Sequence, residues 1–131
     1  MEKIIFLMVL ASLTACTSMS RSAEDANPVP TSRLYGYSKK SDAQLVVILD
    51  SGLDGGCMMR LSIDGKLAAD FFNGEIAYFG LTMGTHKIVA QPLKKCAKSE
   101  RSEEAINVKA GDALLRRIAG TGIESNPLPS R

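Results

Sequence analysis

The chain has 131 residues, a formal net charge of +2 and no tryptophan, and only 5% of its residues are aromatic. The balanced charge lacks the excess of base typical of nucleic-acid-binding proteins. The few aromatic residues argue against stacking platforms for bases or sugars. The length fits one domain, with about 90 to 100 residues left to fold after a leader and a spacer.

The first fifteen residues have the pattern of an export signal. Lys3 precedes a short apolar run over residues 4–15, which is typical of a secretory signal peptide. As a helix this run would span about 18 Å at ~1.5 Å per residue, whereas a bilayer core needs roughly twenty apolar residues. We therefore assign residues 1–15 to a cleaved signal peptide.

The end of this leader, Leu13-Thr14-Ala15-Cys16, resembles the lipobox of bacterial lipoproteins. The resemblance implies cleavage before Cys16, a diacylglyceryl group on its thiol and acylation of the new amino terminus. Two or three acyl chains attach a protein firmly, where a single chain is marginal. Because Thr17 follows instead of aspartate, the resemblance implies the outer membrane of a Gram-negative cell, facing the periplasm. The alternative is an ordinary signal peptide with a chance cysteine.

Residues 16–33 are rich in Ser, Thr, Ala and Pro and show no apolar periodicity. This composition predicts a flexible tether; the alternative is a short recognition segment around Pro28 and Pro30. Residues 121–131, with two further prolines, predict a flexible tail. The folded domain is therefore expected over residues 34–120.

Short apolar runs broken by Gly, Asp and Asn fill residues 34–120. Residues 43–49 predict a strand buried on both faces or nearly so, and the alternation over residues 59–63 predicts a half-buried strand. Asp64-Gly65 predicts a type I′ hairpin turn, and Asn73-Gly74 a second turn.

Further strands are expected at residues 76–81 and 86–90, and residues 105–108 and 114–118 are expected to form a last pair around Gly111. No useful window shows a helical apolar stripe. The predicted fold class is all-β, a small antiparallel, Ig-like β-sandwich of six to seven strands.

Three segments, residues 61–67 (LSIDGKL), Gly74-Glu75 and residues 81–88 (LTMGTHKI), resemble the PEGA-type small β-domains and a group of uncharacterised bacterial lipoproteins. The resemblance covers about a quarter of the chain and concerns turns. It implies a fold and carries over no activity.

Cys57 and Cys96 are the cysteines that remain once Cys16 is lipidated. In an oxidising compartment an even pair predicts a disulfide. Closing a loop of about 40 residues would stabilise the fold by about 4 kcal/mol in the chain-entropy model. The alternatives are free buried thiols, or a reactive or metal-binding cysteine.

The sole histidine, His86, follows a turn without a nucleophile or an orienting group at catalytic spacing. We expect it to bond nearby backbone. The Gly-rich segment 50–56 contains Asp50, Asp54 and Gly55 and is a candidate binding loop. It lacks the full ligand set of a calcium loop and the ending of a phosphate loop, so the alternative is a plain connection.

Lys94, Lys95 and Lys98 are candidate contacts for anionic lipid or lipopolysaccharide, each contributing about 1 kcal/mol near a charged surface. Neighbouring glutamates dilute this group, and the alternative is a solvated loop.

Together these features predict a non-enzymatic, membrane-anchored lipoprotein of the cell envelope that binds an envelope protein or supports an assembly. The sequence implies no metal, cofactor or nucleic-acid partner. The alternatives are recognition of anionic lipid or lipopolysaccharide, or an enzyme or inhibitor that acts on the cell wall.

Overall fold

The structure, a computed structural model, describes residues 26–50, 57–94 and 99–125. Regular structure in these ranges comprises one 3-10 turn, Thr31–Arg33, and nine strands. The strands are β1 Asn27–Pro28, β2 Ala43–Leu49, β3 Met58–Ile63, β4 Lys66–Phe72, β5 Glu75–Leu81, β6 Gly84–Lys94, β7 Ser102–Val108, β8 Ala113–Ala119 and β9 Gly122–Glu124.

The strands form two packed sheets, which confirms the predicted all-β sandwich. One sheet has the order β1-β5-β2-β8-β9 and the other the order β4-β3-β6-β7. The four-stranded sheet is antiparallel throughout. The five-stranded sheet is mixed, because β1 runs parallel to β5 and β2 runs parallel to β8. The described sandwich thus has nine strands instead of six to seven, and one of its sheets is not purely antiparallel.

The core lies between the sheets and follows the period-2 alternation of the strands. Met59, Leu61 and Ile63 of β3 point inward as predicted. The prediction that β2 is buried on both faces was wrong, because its second face carries the exposed Gln44 and two partly buried residues. Other large, fully buried side chains are Leu45, Leu49, Phe71, Phe79, Leu81, Ile88 and Ile118.

The turns divide into local and crossing connections. Asp64 and Gly65 have φ of 52° and 79° and join the paired strands β3 and β4, which confirms the predicted hairpin. Asn73-Gly74 carries the chain from one sheet to the other. The expected pairing of residues 105–108 with 114–118 was wrong, because β7 pairs with β6 and β8 pairs with β2. Crossing between the sheets lets both strands bury an apolar face in one core.

The fold extends beyond residues 34–120 on both sides. Asn27 and Pro28 pair with the start of β5, and Val29 is buried in the core. At the other side β9, within the expected tail, pairs with β8. Both segments had polar flanks that resemble linkers, yet each supplies an apolar residue, Val29 or Ile123, that packs against the core. Ten residues, 17–26, separate Cys16 from β1.

The two ends of the sandwich are formed by different segments of the chain. β1 begins beside the start of β5, so the chain enters the fold at what we call the tether end, together with the turns at residues 73–74 and 120–121. β2 starts beside the end of β5 and beside the start of β8. The opposite end, here the loop end, comprises residues 38–42, 64–65, 82–83 and 109–112.

Within the three described ranges, no helix has the length and apolar character needed to cross a bilayer.

Candidate functional site

Most residues predicted to carry function lie outside the described ranges. Their roles in lipidation, disulfide formation, the binding loop and anionic contacts stay predictions. These residues are Cys16, Asp54, Gly55, Lys95, Cys96 and Lys98.

Cys57 and Asp50 lie at the tether end and are both engaged. Cys57 is completely buried, directly before β3, and it is bonded instead of free. Its pairing with Cys96 stays a prediction. Asp50 accepts a 2.7 Å hydrogen bond from the Arg117 guanidinium at Oδ2, and its backbone N–H donates to the carbonyl of Ile118. Asp50 thus ties the end of β2 to β8. Lys94 ends β6 at the same end of the sandwich.

His86 joins two turns at the loop end. Its Nδ1 lies 2.6 Å from Oδ2 of Asp64, and its Nε2 lies 2.7 Å from the carbonyl oxygen of Thr82. The other Asp64 oxygen accepts the backbone N–H of Lys87 at 2.9 Å. Because both partners of the ring are acceptors, only the doubly protonated imidazolium satisfies them together. The structure therefore shows the backbone contact expected of His86, and it adds a carboxylate that the sequence did not indicate.

The electrostatics of this His86 clamp favour the charged forms of both side chains. Burial lowers the pKa of His86, but the hydrogen bonds to Asp64 and to the Thr82 carbonyl outweigh it and raise that pKa above its ordinary value. Burial raises the pKa of Asp64, and the donors Lys87 N–H and His86 bring it below the usual range. The charged pair holds the β3–β4 hairpin against the β5–β6 turn.

A second polar cluster, the Asp70 network, lies along the edge of the four-stranded sheet. The buried carboxylate of Asp70 accepts from Arg60 Nε at 2.8 Å, from Arg60 Nη2 at 3.0 Å and from the Tyr35 hydroxyl at 2.8 Å. Burial raises the pKa of Asp70, but Arg60 and Tyr35 together bring it below the usual range. Tyr35 also donates its backbone N–H to Ala68, so this segment covers the open edge of β4.

Arg33 extends the Asp70 network to the other sheet. Its guanidinium makes two bonds to Glu75, of 2.6 and 2.7 Å, donates to the carbonyl of Asp70, and stacks 4.6 Å above the ring of Phe72. Fork-to-fork geometry of this kind is a strong form of ion pair. Arg33, the last residue of the predicted tether, thus fastens the entering chain to both sheets. The only sequence signal was one aspartate within an otherwise largely apolar strand.

A groove of about 430 Å³ opens at the loop end, between the segment before β2 and the outer face of the five-stranded sheet. Gly80 permits its shape, because a Cβ there would lie 1.9 Å from the carbonyl oxygen of Lys39. The N–H of Gly80 donates to the carbonyl of Tyr37 at 2.7 Å, which fixes the loop. The groove is lined by Ser38, Lys39, Lys40, Ser41, Asp42, Gln44, Tyr78 and Asp112, among others.

The loops around the groove are hydrogen-bonded to one another. Gly111 N–H donates to the Asp42 carbonyl at 2.8 Å, and Met83 N–H donates to the Asp42 carboxylate at 3.1 Å. Gln44 N–H donates to the carbonyl of Asp112 at 2.8 Å. These bonds, together with the His86 clamp, make the loop end one connected surface.

Four exposed lysines at the loop end form no ion pair with any described carboxylate. The carboxylates nearby bond to backbone: Asp112, for example, accepts the N–H of Lys109. In the described part of the chain no three His, Cys, Asp or Glu side chains gather as metal ligands would. The lysines are Lys39, Lys40, Lys66 and Lys109.

Comparison with protein-family models finds no match to this chain, and comparison with curated proteins also finds none. The resemblances to the lipobox and to PEGA-type domains therefore stay predictions, and the function has to be argued from the residues.

Proposed function

We propose that this protein is a lipoprotein of the cell envelope, anchored by lipid on Cys16, whose β-sandwich is a non-enzymatic binding or assembly module. The observation that carries the proposal is the sequence Leu13-Thr14-Ala15-Cys16 at the end of a short apolar leader. The ten residues between Cys16 and β1 also support the proposal, because a lipidated cysteine must be separated from the first strand by a short segment of chain.

The polar groups of the described residues support binding over catalysis. Both nitrogens of His86 are occupied by Asp64 and Thr82, so neither is positioned to take a proton from a substrate. The Asp70 carboxylate is occupied by Arg60 and Tyr35 in the same way. These groups hold strands and turns in place, and none of them lines the groove.

The tether length sets how the domain would stand at the membrane. Ten residues between Cys16 and β1 reach at most about 35 Å when fully extended. Because β1 enters at the tether end, this end would face the membrane, and the loop end with its groove would face away from it.

The test is the intact mass of the protein from a native membrane fraction, with Cys16→Ser as the matched variant. We expect the wild-type mass to be short by residues 1–15 and heavier by acyl chains, and the variant to lose both the acyl mass and the membrane attachment. Alkylation with and without reductant reports the predicted Cys57–Cys96 bond in the same sample. An unprocessed, unacylated wild-type chain would contradict the proposal.

A second candidate function is contact with anionic lipid through Lys94, Lys95 and Lys98. The position of Lys94 at the end of β6, on the tether end, favours it. Binding of the full chain to anionic vesicles should then weaken as salt rises, because exposed charges are screened. Replacing the three lysines by glutamine should abolish that salt-sensitive binding; binding that ignores salt would exclude this role.

A further inference from the structure

We infer that the groove at the loop end binds a linear glycan that carries carboxylates, the chemistry of a cell-wall polymer. That a cell-wall polymer is the ligand rests on the proposed function, which puts the protein in the cell envelope. The match between the groove and an acidic glycan does not depend on that function. Three features of the groove point to this ligand: an exposed aromatic ring, a set of hydroxyl and amide partners, and two lysines without an ion pair.

The ring belongs to Tyr78, which is 50% exposed on the outer face of β5. Tyrosine combines a large apolar face with a polar hydroxyl, which suits the apolar C–H face and the hydroxyl rim of a sugar. Gly80, two residues further on the same face, adds no side chain beside the ring. Although the sequence offers too few aromatic residues for a row of platforms, one ring serves one sugar unit.

Hydrogen-bonding groups line the groove beside this ring. The amide of Gln44 both donates and accepts, and the hydroxyls of Ser38 and Ser41 do the same. Asp112 uses Oδ2 for the N–H of Lys109, so Oδ1 can still accept from a sugar hydroxyl. Alternating donors and acceptors of this kind match polyhydroxyl ligands.

Lys39 and Lys40 supply the charge complementarity. Both line the groove, both are exposed, and neither is paired with a described carboxylate. An ammonium group attracts carboxylates as a point charge without demanding a fixed planar geometry. This tolerance suits acidic groups that hang from a polymer at variable angles.

The lining favours a glycan over an acidic peptide. Ala43 and Phe79 contribute to the groove but are buried in the core, and the exposed apolar lining beside Tyr78 is the small side chain of Ala113. The groove therefore lacks large exposed aliphatic side chains that would hold an apolar peptide side chain. The hydrogen bonds that join the loops hold the groove open without a ligand. A preformed site of this kind reduces the ordering cost of binding.

The test is co-sedimentation of the full chain, purified in detergent, with isolated peptidoglycan sacculi. We expect binding that weakens as salt rises from about 50 to about 300 mM. Sacculi whose carboxylates have been converted to amides with glycinamide should no longer retain the protein. Tyr78→Ala and the double variant Lys39→Gln/Lys40→Gln should each bind about tenfold more weakly, as expected when a stacking or charge-assisted contact is lost.

The matched control is Lys66→Gln/Lys109→Gln, which removes the same charge from the loop end outside the groove lining. It should bind like the wild type, and all variants should keep the wild-type melting temperature. Equal loss in the control pair would mean non-specific charge attraction and would overturn the inference. Undiminished binding to the amidated sacculi would overturn the inference as well. So would binding of a protein or of anionic vesicles, in place of sacculi, that is lost in the groove variants.

The two proposals fail separately. A chain that is lipidated and membrane-bound but does not sediment with sacculi leaves the proposed function standing and removes the ligand. A chain that sediments through its groove but is never lipidated keeps the ligand and removes the anchor.

Discussion

The tether end and the loop end of the sandwich use charged side chains differently. At the tether end Arg33 is paired with Glu75 and Arg117 with Asp50, at distances of 2.6 to 2.7 Å. At the loop end the carboxylates bond to backbone N–H groups or to His86, and the lysines have no described partner. At the tether end the arginines are used in ion pairs that hold strands together, whereas at the loop end the His86 clamp is the described ion pair and the lysines stay open to solvent and ligands.

This difference teaches that an open surface can still be well ordered. The loops at the loop end are linked by backbone hydrogen bonds and by acceptor carboxylates such as Asp42. These contacts fix the loops without consuming the lysines. Three predictions test how far the contrast holds, and they follow in order of expected effect.

Asp70→Ala should have the largest effect, because it removes the centre of the Asp70 network. We expect the free energy of unfolding to fall by about 3 kcal/mol, the cost of leaving a half-buried arginine without its carboxylate. Urea unfolding near pH 7 measures it. Because the folded-state pKa of Asp70 is lowered, its contribution is full above the unfolded pKa of about 3.9 and is lost as pH falls through the folded pKa.

Glu103→Ala is the matched control. Glu103 pairs with Lys87 and Arg101 on the exposed surface, where ion pairs contribute little to stability because solvent screens them. If the two variants lost similar stability, the Asp70 network would be no more important than a surface ion pair.

Gly80→Ala should have the second largest effect on stability. Compared with Gly111→Ala, it distinguishes a glycine needed for close packing from a glycine needed for its positive φ. The new Cβ would lie 1.9 Å from the Lys39 carbonyl oxygen, so the loop must move, at a cost of about 2 kcal/mol. Gly111→Ala meets open space but has a φ of +83°, a conformation that costs an L-residue about 1 kcal/mol. Thermal unfolding of both variants gives the ranking; a reversed order would mean that the loop yields easily.

His86→Gln should have the smallest effect and should depend on pH. The folded-state pKa of His86 is raised, so its contribution is full below the unfolded pKa of about 6.5 and is lost as pH rises through the folded pKa. We expect a loss of about 1 kcal/mol near pH 5.5 and a smaller one in mild alkali.

Asp64→Asn provides the partner measurement for a double-mutant cycle. The two substitutions should be non-additive at low pH, because each removes the same contact. Strict additivity across the pH range would show that the His86 clamp does not couple the two turns.

The local parts of this fold were predictable from the sequence because their causes are local. The Asp64-Gly65 turn needs positive φ at two successive residues, and β3 alternates clearly enough to show its buried face. The strand order was not predictable, because β8 pairs in parallel with β2 across more than sixty residues of sequence. Nothing in residues 113–119 distinguishes that partner from β7.

The polar clusters were hidden for the same reason. Tyr35 and Asp70 are separated by 35 residues, and His86 and Asp64 by 22. By composition, Arg33 and Tyr35 lie at the border between the predicted tether and the domain. Only their tertiary contacts show that they fasten the entering chain to the sheets. The groove also depends on Gly80 beneath a distant loop, a relation that no spacing within the strand reveals.

The parallel pairing of β1 with β5 determines how the domain responds to mechanical load. Asn27 and Val29 donate to the carbonyls of Gly74 and Ile76 along one line parallel to the strands. A pull on the amino-terminal side, directed along that line, loads both bonds in shear at the same moment instead of opening them one after another. The next contact along the chain that this force would load is the pair of hydrogen bonds between the Arg33 guanidinium and the Glu75 carboxylate. The two-residue strand β1 therefore resists being pulled away from β5 better than its length suggests.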